Sequence, residues 1–224
     1  MSLLGIDVGT TGCKAALFST AGDVLAAAYR EYDTLHPQPG WAELDAVEVW
    51  EKVRQTLREV AGHAGPDPIR ALSVSSLGEA VVPVTADRRI LAPSIFNFDA
   101  RGQEYLPALA RALPDARLYG INGNTLGSPY TLTKLIWLKR HQPDLYRRTD
   151  AFLHWGAFVS FMLGADLCVD YSLANRTLLF DLQKGDWSDE LLDWSGLDHE
   201  KLPATAPSGQ VIGAVSRSSA EELG

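Results

Sequence analysis

The sequence predicts an α/β fold in which helices flank a mixed β-sheet, and three observations lead to this prediction. Apolar runs at 3–8, 15–19 and 24–32 are separated by short polar turns, which is typical of a three-stranded meander. An amphipathic helical pattern follows, and a short apolar strand of the buried kind occupies 69–75. Three strands, a crossover helix and a further strand indicate an α/β protein with a mixed sheet.

The crossover helix has clear signals at both ends. Asp45 is placed to cap its N-terminus, and Glu48 completes the spacing of a capping box. The helix must end by Gly62–Gly65, where Pro66 and Pro68 prevent its continuation. Apolar residues recur at three- and four-residue intervals and predict one buried stripe. These residues are Val47, Trp50, Val53, Leu57 and Val60.

The second half of the chain mixes short strands and helices. The segments Val81–Val84 and Ile90–Leu91 predict a hairpin, and a helix is expected from just after Arg101 to about Leu113. We expect a loop at 120–124, a helix from Thr131 or Thr133, and a short helix from Pro143. The strongly apolar stretch Phe152–Leu163 predicts a buried helix, and 218–224 a short final one.

Composition narrows the function classes. The chain has 224 residues and a formal net charge of −8 with no basic run, so neither nucleic acid nor an anionic membrane is an expected partner. No apolar stretch approaches the length that spans a bilayer. Two cysteines, Cys13 and Cys168, form no disulfide framework, which favours a reducing compartment. We therefore expect a soluble, cytoplasmic protein.

The first turn of the meander is a candidate phosphate site. Asp7 lies at the end of the first strand, Thr10 and Thr11 form the turn, and Lys14 begins the return strand. A turn of Gly and Thr between buried strands exposes several backbone N–H groups in one concavity, which suits a phosphate. Asp7 is placed to reach a hydrated Mg²⁺. The alternative is an ordinary hairpin in which Asp7 caps its own turn.

A second group of polar residues follows later strands. Glu79 comes just after the strand at 69–75 without an obvious partner, and Asp99 and Arg101 follow the next apolar stretch. Ligands of open α/β sheets bind beyond strand ends, so these side chains are candidates for a polyhydroxylated ligand. For Asp99 and Arg101 a local salt bridge or helix cap is the favoured alternative. The P-loop and dinucleotide-binding patterns are missing, and the scattered histidines do not have zinc-site spacing.

An ordered series of motifs resembles the N-terminal domain of the FGGY family of carbohydrate kinases. The series covers essentially the whole chain, and each motif alone is weak. It comprises Gly5-Ile6-Asp7-Val8-Gly9-Thr10-Thr11, Pro39-Gly40-Trp41-Ala42-Glu43-Leu44-Asp45, the D-x-R of Asp99 and Arg101, Lys134-Leu135-Ile136-Trp137-Leu138, and the segment from Leu163-Gly164 through Asp170-Tyr171-Ser172 to Ile212-Gly213.

The resemblance implies a fold of the ribonuclease H-like type found in actin and sugar kinases. It implies two such domains, with ATP mainly on the second, and assigns residues 1–224 to the first, sugar-binding one. It implies that Asp7 assists Mg²⁺ through water, and that Thr10, Thr11 and Lys14 contact the transferring phosphoryl group. The cofactors are then ATP and Mg²⁺, and the partner is a small sugar or polyol.

By the same resemblance, the catalytic base of the family is an aspartate beyond the end of this chain. After Gly213 the only carboxylates are Glu221 and Glu222, in a stretch that does not match the family's segment. We therefore expect a sugar-side fragment that is inactive alone and that lacks its ATP-binding domain. A homodimer is an expectation for the longer protein.

The substrate segment departs from the family pattern. Xylulokinases carry Gln-Met-His-Gly and glycerol kinases an Arg-Glu pair, whereas this chain has Leu77-Gly78-Glu79-Ala80. Glu79 stays as the candidate sugar contact. Pro129 replaces the tyrosine of glycerol kinases, and the adjacent Tyr130 is the second candidate. A ketopentose is the favoured substrate. The alternative function is a non-catalytic sugar-binding or regulatory module with the same fold.

Overall fold

The computed structural model describes residues 1–65 and 68–224. Its strands are β1 (Ser2–Val8), β2 (Gly12–Ser19), β3 (Val24–Glu31), β4 (Glu43–Leu44), β5 (Ile69–Ser76), β6 (Val81–Val84), β7 (Ser94–Ile95), β8 (Ala151–His154), β9 (Cys168–Asp170), β10 (Phe180–Asp181), β11 (Asp186–Trp187) and β12 (Ala204–Ala206). Its α-helices are α1 (Ala46–Ala61), α2 (Leu106–Ala112), α3 (Asp115–Asn122), α4 (Thr131–His141), α5 (Pro143–Arg148), α6 (Trp155–Leu163), α7 (Tyr171–Asn175), α8 (Asp189–Ser195) and α9 (Arg217–Leu223).

The main sheet confirms the predicted meander and its crossover. Its strand order is β3-β2-β1-β5. Strands β1, β2 and β3 pair antiparallel, whereas β5 pairs parallel to β1, with Gly5 opposite Ser73. The sheet is therefore mixed. Residues alternate along β1, so that Leu4, Ile6 and Val8 point into the core while Leu3 and Asp7 are exposed.

Helix α1 covers the core face of this sheet and packs on β2 and β3. Asp45 caps it as predicted, accepting hydrogen bonds from the backbone N–H groups of Val47 and Glu48. The predicted apolar stripe is wrong at Val47, which is 61% exposed, because the buried face runs through Val49 instead. The helix ends at Ala61, as expected from Gly62. The role assigned to Pro66 lies outside the described residues.

The second half of the chain forms a helical layer around short strands. The predicted hairpin is present, since Val84 bridges Ile90 and the N–H of Leu91 donates to the carbonyl of Pro83. Strand β6 also pairs antiparallel with β8. The helices predicted from Thr131 and from Pro143 are confirmed.

Two expectations in this layer are corrected. The stretch 152–163 is not one helix, because β8 extends through His154 before α6 begins. A fully buried strand and a buried helix share the same apolar composition, so the sequence pattern does not separate them. The expected loop at 120–124 starts later, since α3 continues to Asn122 and ends at Gly123, which has a left-handed backbone.

Candidate functional site

Two segments of the predicted site meet at one edge of the main sheet. Strands β1 and β5 are parallel, so their C-terminal ends lie side by side. The N–H of Leu77 donates to the carbonyl of Val8 at 2.8 Å and extends the pairing beyond the strands. The turn 9–12 after β1 and the segment 77–80 after β5 are therefore neighbours, as the sequence analysis expected.

Hydrogen bonds hold the backbone of the first turn, and its two threonines are exposed. The N–H of Gly9 donates to the carbonyl of Gly12, and the hydroxyl of Tyr32 donates to the carbonyl of Gly9 at 2.7 Å. A Cβ on Gly12 would lie 2.4 Å from the hydroxyl oxygen of Tyr29, so this position needs glycine unless that ring moves. Thr10 and Thr11 are exposed, and neither hydroxyl bonds another described residue.

Asp7 and Lys14 face each other on the exposed side of the sheet, above this turn. They are cross-strand partners in the β1–β2 register, and Ser75 of β5 lies on the other side of Asp7. Asp7 makes no hydrogen bond or ion pair within the described residues. The described part of the chain also holds no group of three or more metal-ligating side chains. One free carboxylate beside two hydroxyls fits a magnesium ion that keeps most of its water.

Glu79 occupies a strained and enclosed position. Its φ of 57° is in the left-handed region, which a non-glycine residue seldom adopts, and its side chain is buried. The hydroxyl of Thr131 at the start of α4 donates to its backbone carbonyl at 2.6 Å. Such strain persists only where surrounding contacts fix it, and it occurs often at ligand sites.

The carboxylate of Glu79 has a partner that the sequence did not reveal. Nε of Arg176 donates to Oε1 of Glu79 at 2.6 Å, and Nη2 of Arg176 donates to the same oxygen. Asn97 Nδ2 lies 3.4 Å from Oε2. Arg176 is 97 positions away in the chain, so no local motif could have indicated the pair.

Tyr130 joins this group through Arg176. The guanidinium carbon of Arg176 lies 4.8 Å from the centre of the Tyr130 ring, a cation–π geometry. The Tyr130 hydroxyl donates to Oδ1 of Asn124, which is held in turn by Asn175. We define the sugar-site cluster as Glu79, Asn97, Tyr130 and Arg176. The name reflects the sequence prediction for Glu79 and Tyr130, to which the structure adds Asn97 and Arg176 as neighbours; sugar contact by any of the four stays a prediction.

Asp99 and Arg101 are placed differently from Glu79. Both side chains are buried, and they form the local salt bridge that was the favoured alternative to a ligand contact. Asp99 also accepts from the N–H of Ala42 at 2.6 Å, and Arg101 donates to Glu43 at 2.6 Å. The guanidinium of Arg101 stacks over Trp41 at 3.9 Å. It also lies 5.2 Å from the centre of the Trp137 ring in α4. The pair therefore links three of the sequence motifs, those at 39–45, 99–101 and 134–138.

The pKa of the Asp99 carboxyl is lowered despite its burial. Burial alone would raise this pKa, but hydrogen bonds from Arg101 and from the backbone of Ala42 stabilise the ionised form more strongly. Both carboxylate oxygens of Asp99 thus accept two hydrogen bonds each from Arg101 and Ala42. A role for Asp99 and Arg101 in binding substrate stays a prediction, and their contacts describe a supporting position.

Lys134 connects this unit with the sugar-site cluster. Its ammonium donates to the carbonyls of Asn97 and Ser128. Burial lowers the pKa of Lys134 to about 8, opposed by the charges of Asp99 and Glu79. A cavity of about 200 Å³ lies here, lined in part by Glu43, Glu79, Arg101 and Lys134.

Curated relatives match this chain over nearly its whole length. The chain is 28% identical to the xylulose kinase of Escherichia coli strain K12 over 212 residues, covering 95% of this chain and 43% of that protein. It is 32% identical to the glycerol kinase of Albidiferax ferrireducens, covering 96% of this chain and 45% of that protein. The chain thus spans less than half the length of the relatives it matches.

Solved structures of sugar kinases share the fold of this chain. The xylulose kinase of Rhodospirillum rubrum superposes with a TM-score of 0.92 and 26% identity, over 100% of this chain and 46% of that one. The gluconate kinase of Lactobacillus acidophilus superposes with a TM-score of 0.90 and 23% identity, over 99% of this chain and 45% of that one, which shows a shared fold. The fold is that of the actin-like, ribonuclease H-like sugar kinases.

The family assignment follows from the match of residues 2–224 to the model of the FGGY family of carbohydrate kinases, N-terminal domain. The chain belongs to the FGGY family of carbohydrate kinases, and the predicted resemblance is confirmed. Within the described residues, no helix combines the length and apolar character that crossing a membrane requires.

Proposed function

We propose that this chain is the sugar-binding domain of an ATP-dependent sugar kinase. The observation that carries the proposal is the meeting of two kinds of site at one sheet edge. The turn with Asp7, Thr10, Thr11 and Lys14 offers donors, hydroxyls and a free carboxylate for a phosphoryl group and Mg²⁺. The sugar-site cluster beside it offers carboxylate, amide and aromatic groups for a polyhydroxylated ligand.

A phosphate-binding turn next to a sugar-binding cluster is an arrangement suited to phosphoryl transfer. Catalysis of that reaction rests on positioning and on stabilising charge, and it needs little covalent chemistry from the protein. Asp7 would hold hydrated Mg²⁺, which supplies positive charge for the transferring phosphoryl group. Lys14 and the backbone N–H groups of the turn would contact its oxygens. Thr10 and Thr11 would add hydroxyl contacts.

The remaining groups would come from a second, ATP-binding domain. The relatives are more than twice as long as the matched region. The catalytic base expected from the family is an aspartate that residues 1–224 do not supply at the matching position. We therefore propose that the isolated chain binds a sugar or polyol, with a ketopentose favoured, without phosphorylating it.

The test is sugar binding by the isolated chain. Titration calorimetry with D-xylulose and with glycerol should detect binding of at least one of them, and Glu79→Ala should weaken that binding at least a hundredfold. One or two lost hydrogen bonds to a charged acceptor, together with the loss of the charge partner of Arg176, account for an effect of this size. The matched control is Glu190→Ala, which removes an exposed carboxylate on α8 that pairs with Arg117.

Two results would contradict the proposal. Unchanged affinity in the Glu79→Ala variant would remove Glu79 from the binding site. Sustained phosphorylation of any sugar by residues 1–224 with MgATP would show that no second domain is needed.

A further inference from the structure

The charge of the sugar-site cluster is set by one ion pair. Glu79 and Arg176 neutralise each other, and both guanidinium contacts go to the single oxygen Oε1. Oε2 is approached only by the weakly held amide of Asn97 at 3.4 Å within the described residues. One carboxylate oxygen is therefore available to accept hydrogen bonds from a ligand's hydroxyl groups.

The pair is packed in place from both sides. The ring of Tyr130 lies against one side of the Arg176 guanidinium. On another side, a Cβ at Gly78 would lie 3.3 Å from Cγ of Arg176, so the segment before Glu79 touches the stem of the arginine. The Arg176 side chain is 38% exposed, whereas that of Glu79 is 9% exposed. Arg176 cannot swing away from Glu79 without losing these contacts.

The positive and negative charges of the side chains next to the sugar-site cluster are also equal in number. Asp99 and Glu43 pair with Arg101, and the ammonium of Lys134 lies within the electrostatic range of both Asp99 and Glu79. Three carboxylates and three cations thus surround the site: Glu43, Glu79 and Asp99, with Arg101, Lys134 and Arg176. Among these six described side chains the charges cancel, so none of the three cations is left over to receive a ligand carboxylate.

Resting on the proposed sugar-binding function, we propose that the Glu79–Arg176 pair makes this site select uncharged polyols and ketoses against sugar acids. A sugar acid would bring an uncompensated carboxylate next to the carboxylate of Glu79. Desolvating an ion without a partner carries a large free-energy penalty, which a neutral ligand avoids. Repulsive groups are a general source of ligand specificity.

The proposal predicts opposite effects for the two members of the pair. Glu79→Gln keeps the shape of the side chain and leaves Arg176 as an unpaired cation, so sugar acids should gain affinity relative to neutral ligands. Arg176→Gln leaves Glu79 as an unpaired anion, so sugar acids should be rejected more strongly. Arg176→Lys keeps the positive charge but not the guanidinium contacts, so its preference should stay closer to the wild type than that of Arg176→Gln.

The experiment compares ligands that share a carbon skeleton. Xylitol with D-xylonate, and D-sorbitol with D-gluconate, are titrated into the full chain and the three variants by calorimetry at pH 7. Circular dichroism confirms that each variant is folded. The measured quantity is the ratio of the two affinities in each pair. We expect the wild-type chain to bind the neutral member at least tenfold more tightly, Arg176→Gln to raise this ratio, and Glu79→Gln to lower it at least tenfold.

The outcomes separate this inference from the proposed function. Neutral binding with the same ratio in all folded variants would overturn the inference and leave sugar binding intact. A wild-type preference for the sugar acid would also overturn it. If neither D-xylulose, glycerol nor any of the four matched ligands binds, the proposed sugar-binding function fails, and the inference fails with it. If Glu79→Gln does not fold, the affinity ratios of Arg176→Gln and Arg176→Lys are compared, since only Arg176→Gln changes the charge. A higher ratio in Arg176→Gln supports the inference, and equal ratios overturn it.

Discussion

At the scale of single residues, the molecule separates exposed polar groups that have no partner within the described residues from buried polar groups that support the fold. Asp7, Thr10 and Thr11 are exposed, and their side chains bond no other described residue. Asp99 and Arg101 are buried and fully bonded within the protein. Asp7 and Asp99 both lie near the end of a strand, yet the carboxylate of Asp7 is exposed and unbonded among the described residues, whereas that of Asp99 is buried and bonded.

The buried salt bridge gives the first residue-scale prediction. Asp99→Asn should lower the free energy of unfolding by about 3 kcal/mol or more, because the buried Arg101 guanidinium loses one of its two charge partners and keeps only Glu43. Urea denaturation followed by circular dichroism measures this loss. The matched control is Asp87→Asn, which removes an exposed carboxylate paired with Arg89.

The comparison of Asp99→Asn with Asp87→Asn shows whether the buried pair contributes more to stability than an exposed one. The Asp87→Asn curve should overlay the wild-type curve, since exposed ion pairs contribute little to stability. Equal midpoints for both variants and the wild type would show that the Asp99–Arg101 pair does not hold the three motifs together.

The geometry of the candidate site is predictable from the sequence where its residues are contiguous, while its ligand stays a prediction. The turn from Asp7 to Lys14 is contiguous, so its Gly and Thr content and its flanking strands were enough to predict it. Arg176 and Asn97 were missed because their relation to Glu79 depends on how distant segments pack. Glu79 was noticed for lacking a local partner, and its partner proved to be distant.

At the scale of elements, the D-x-R turn and helix α4 approach each other unusually closely. Gly102 has a φ of 84°, and a Cβ built on it would lie 2.3 Å from the backbone carbonyl oxygen of Thr133. The backbone of α4 cannot move aside as a flexible side chain could. Any side chain at position 102 would therefore push the turn that carries Arg101 away from the helix that carries Lys134.

This contact gives an element-scale prediction. Gly102→Ala should destabilise the fold by about 2–4 kcal/mol, combining left-handed backbone strain with overpacking. Thermal unfolding by calorimetry measures the effect. Gly120→Ala serves as the control, because Gly120 lies within α3 with nothing within 4 Å of a built Cβ. The control should be neutral or slightly stabilised. A Gly102→Ala variant as stable as that control would show that the turn and α4 are not tightly coupled.

The sequence predicts the ends of a helix or strand where local signals mark them. The ends of α1 were predicted because capping at Asp45 and the glycine at 62 are local signals. The boundary between β8 and α6 was not predicted, because the stretch 152–163 is apolar on every side. Burial on all sides removes the alternation that distinguishes a strand from a helix.

At the scale of the whole molecule, the parallel pairing of β1 with β5 assembles the candidate site. It brings the turn after β1 beside the segment after β5, although 65 and more positions separate them in the chain. The order of strands and helix was enough to predict this sheet. The supporting layer of short strands around α4 and α6 was only partly predicted, because its elements are short and its contacts are long-range.

That supporting layer contains a buried histidine whose titration should affect the stability of the whole chain. His154 is fully enclosed at the end of β8, with Nε2 3.4 Å from the hydroxyl of Thr131. The pKa of His154 is lowered to about 4, chiefly by burial; the charge of Asp170 opposes this shift and the positive charge of Arg176 adds to it. An unfolded chain binds this proton near pH 6.5. The stabilisation from a neutral His154 is therefore complete above about pH 6.5 and is lost as the pH falls toward 4.

This linkage predicts a loss of about 3 kcal/mol of unfolding free energy across the interval between the two pKa values. In urea titrations at pH 6.5, 5.5 and 4.5, the wild-type chain should lose stability more steeply than His154→Gln, whatever the stability of the variant at pH 6.5. Asp99 contributes only at lower pH, because its pKa is held below the ordinary carboxyl value. His63→Gln is the matched control, since His63 lies in an exposed position after α1. It should keep the wild-type slope, and a wild-type slope for His154→Gln as well would mean that His154 does not stay neutral in the folded chain.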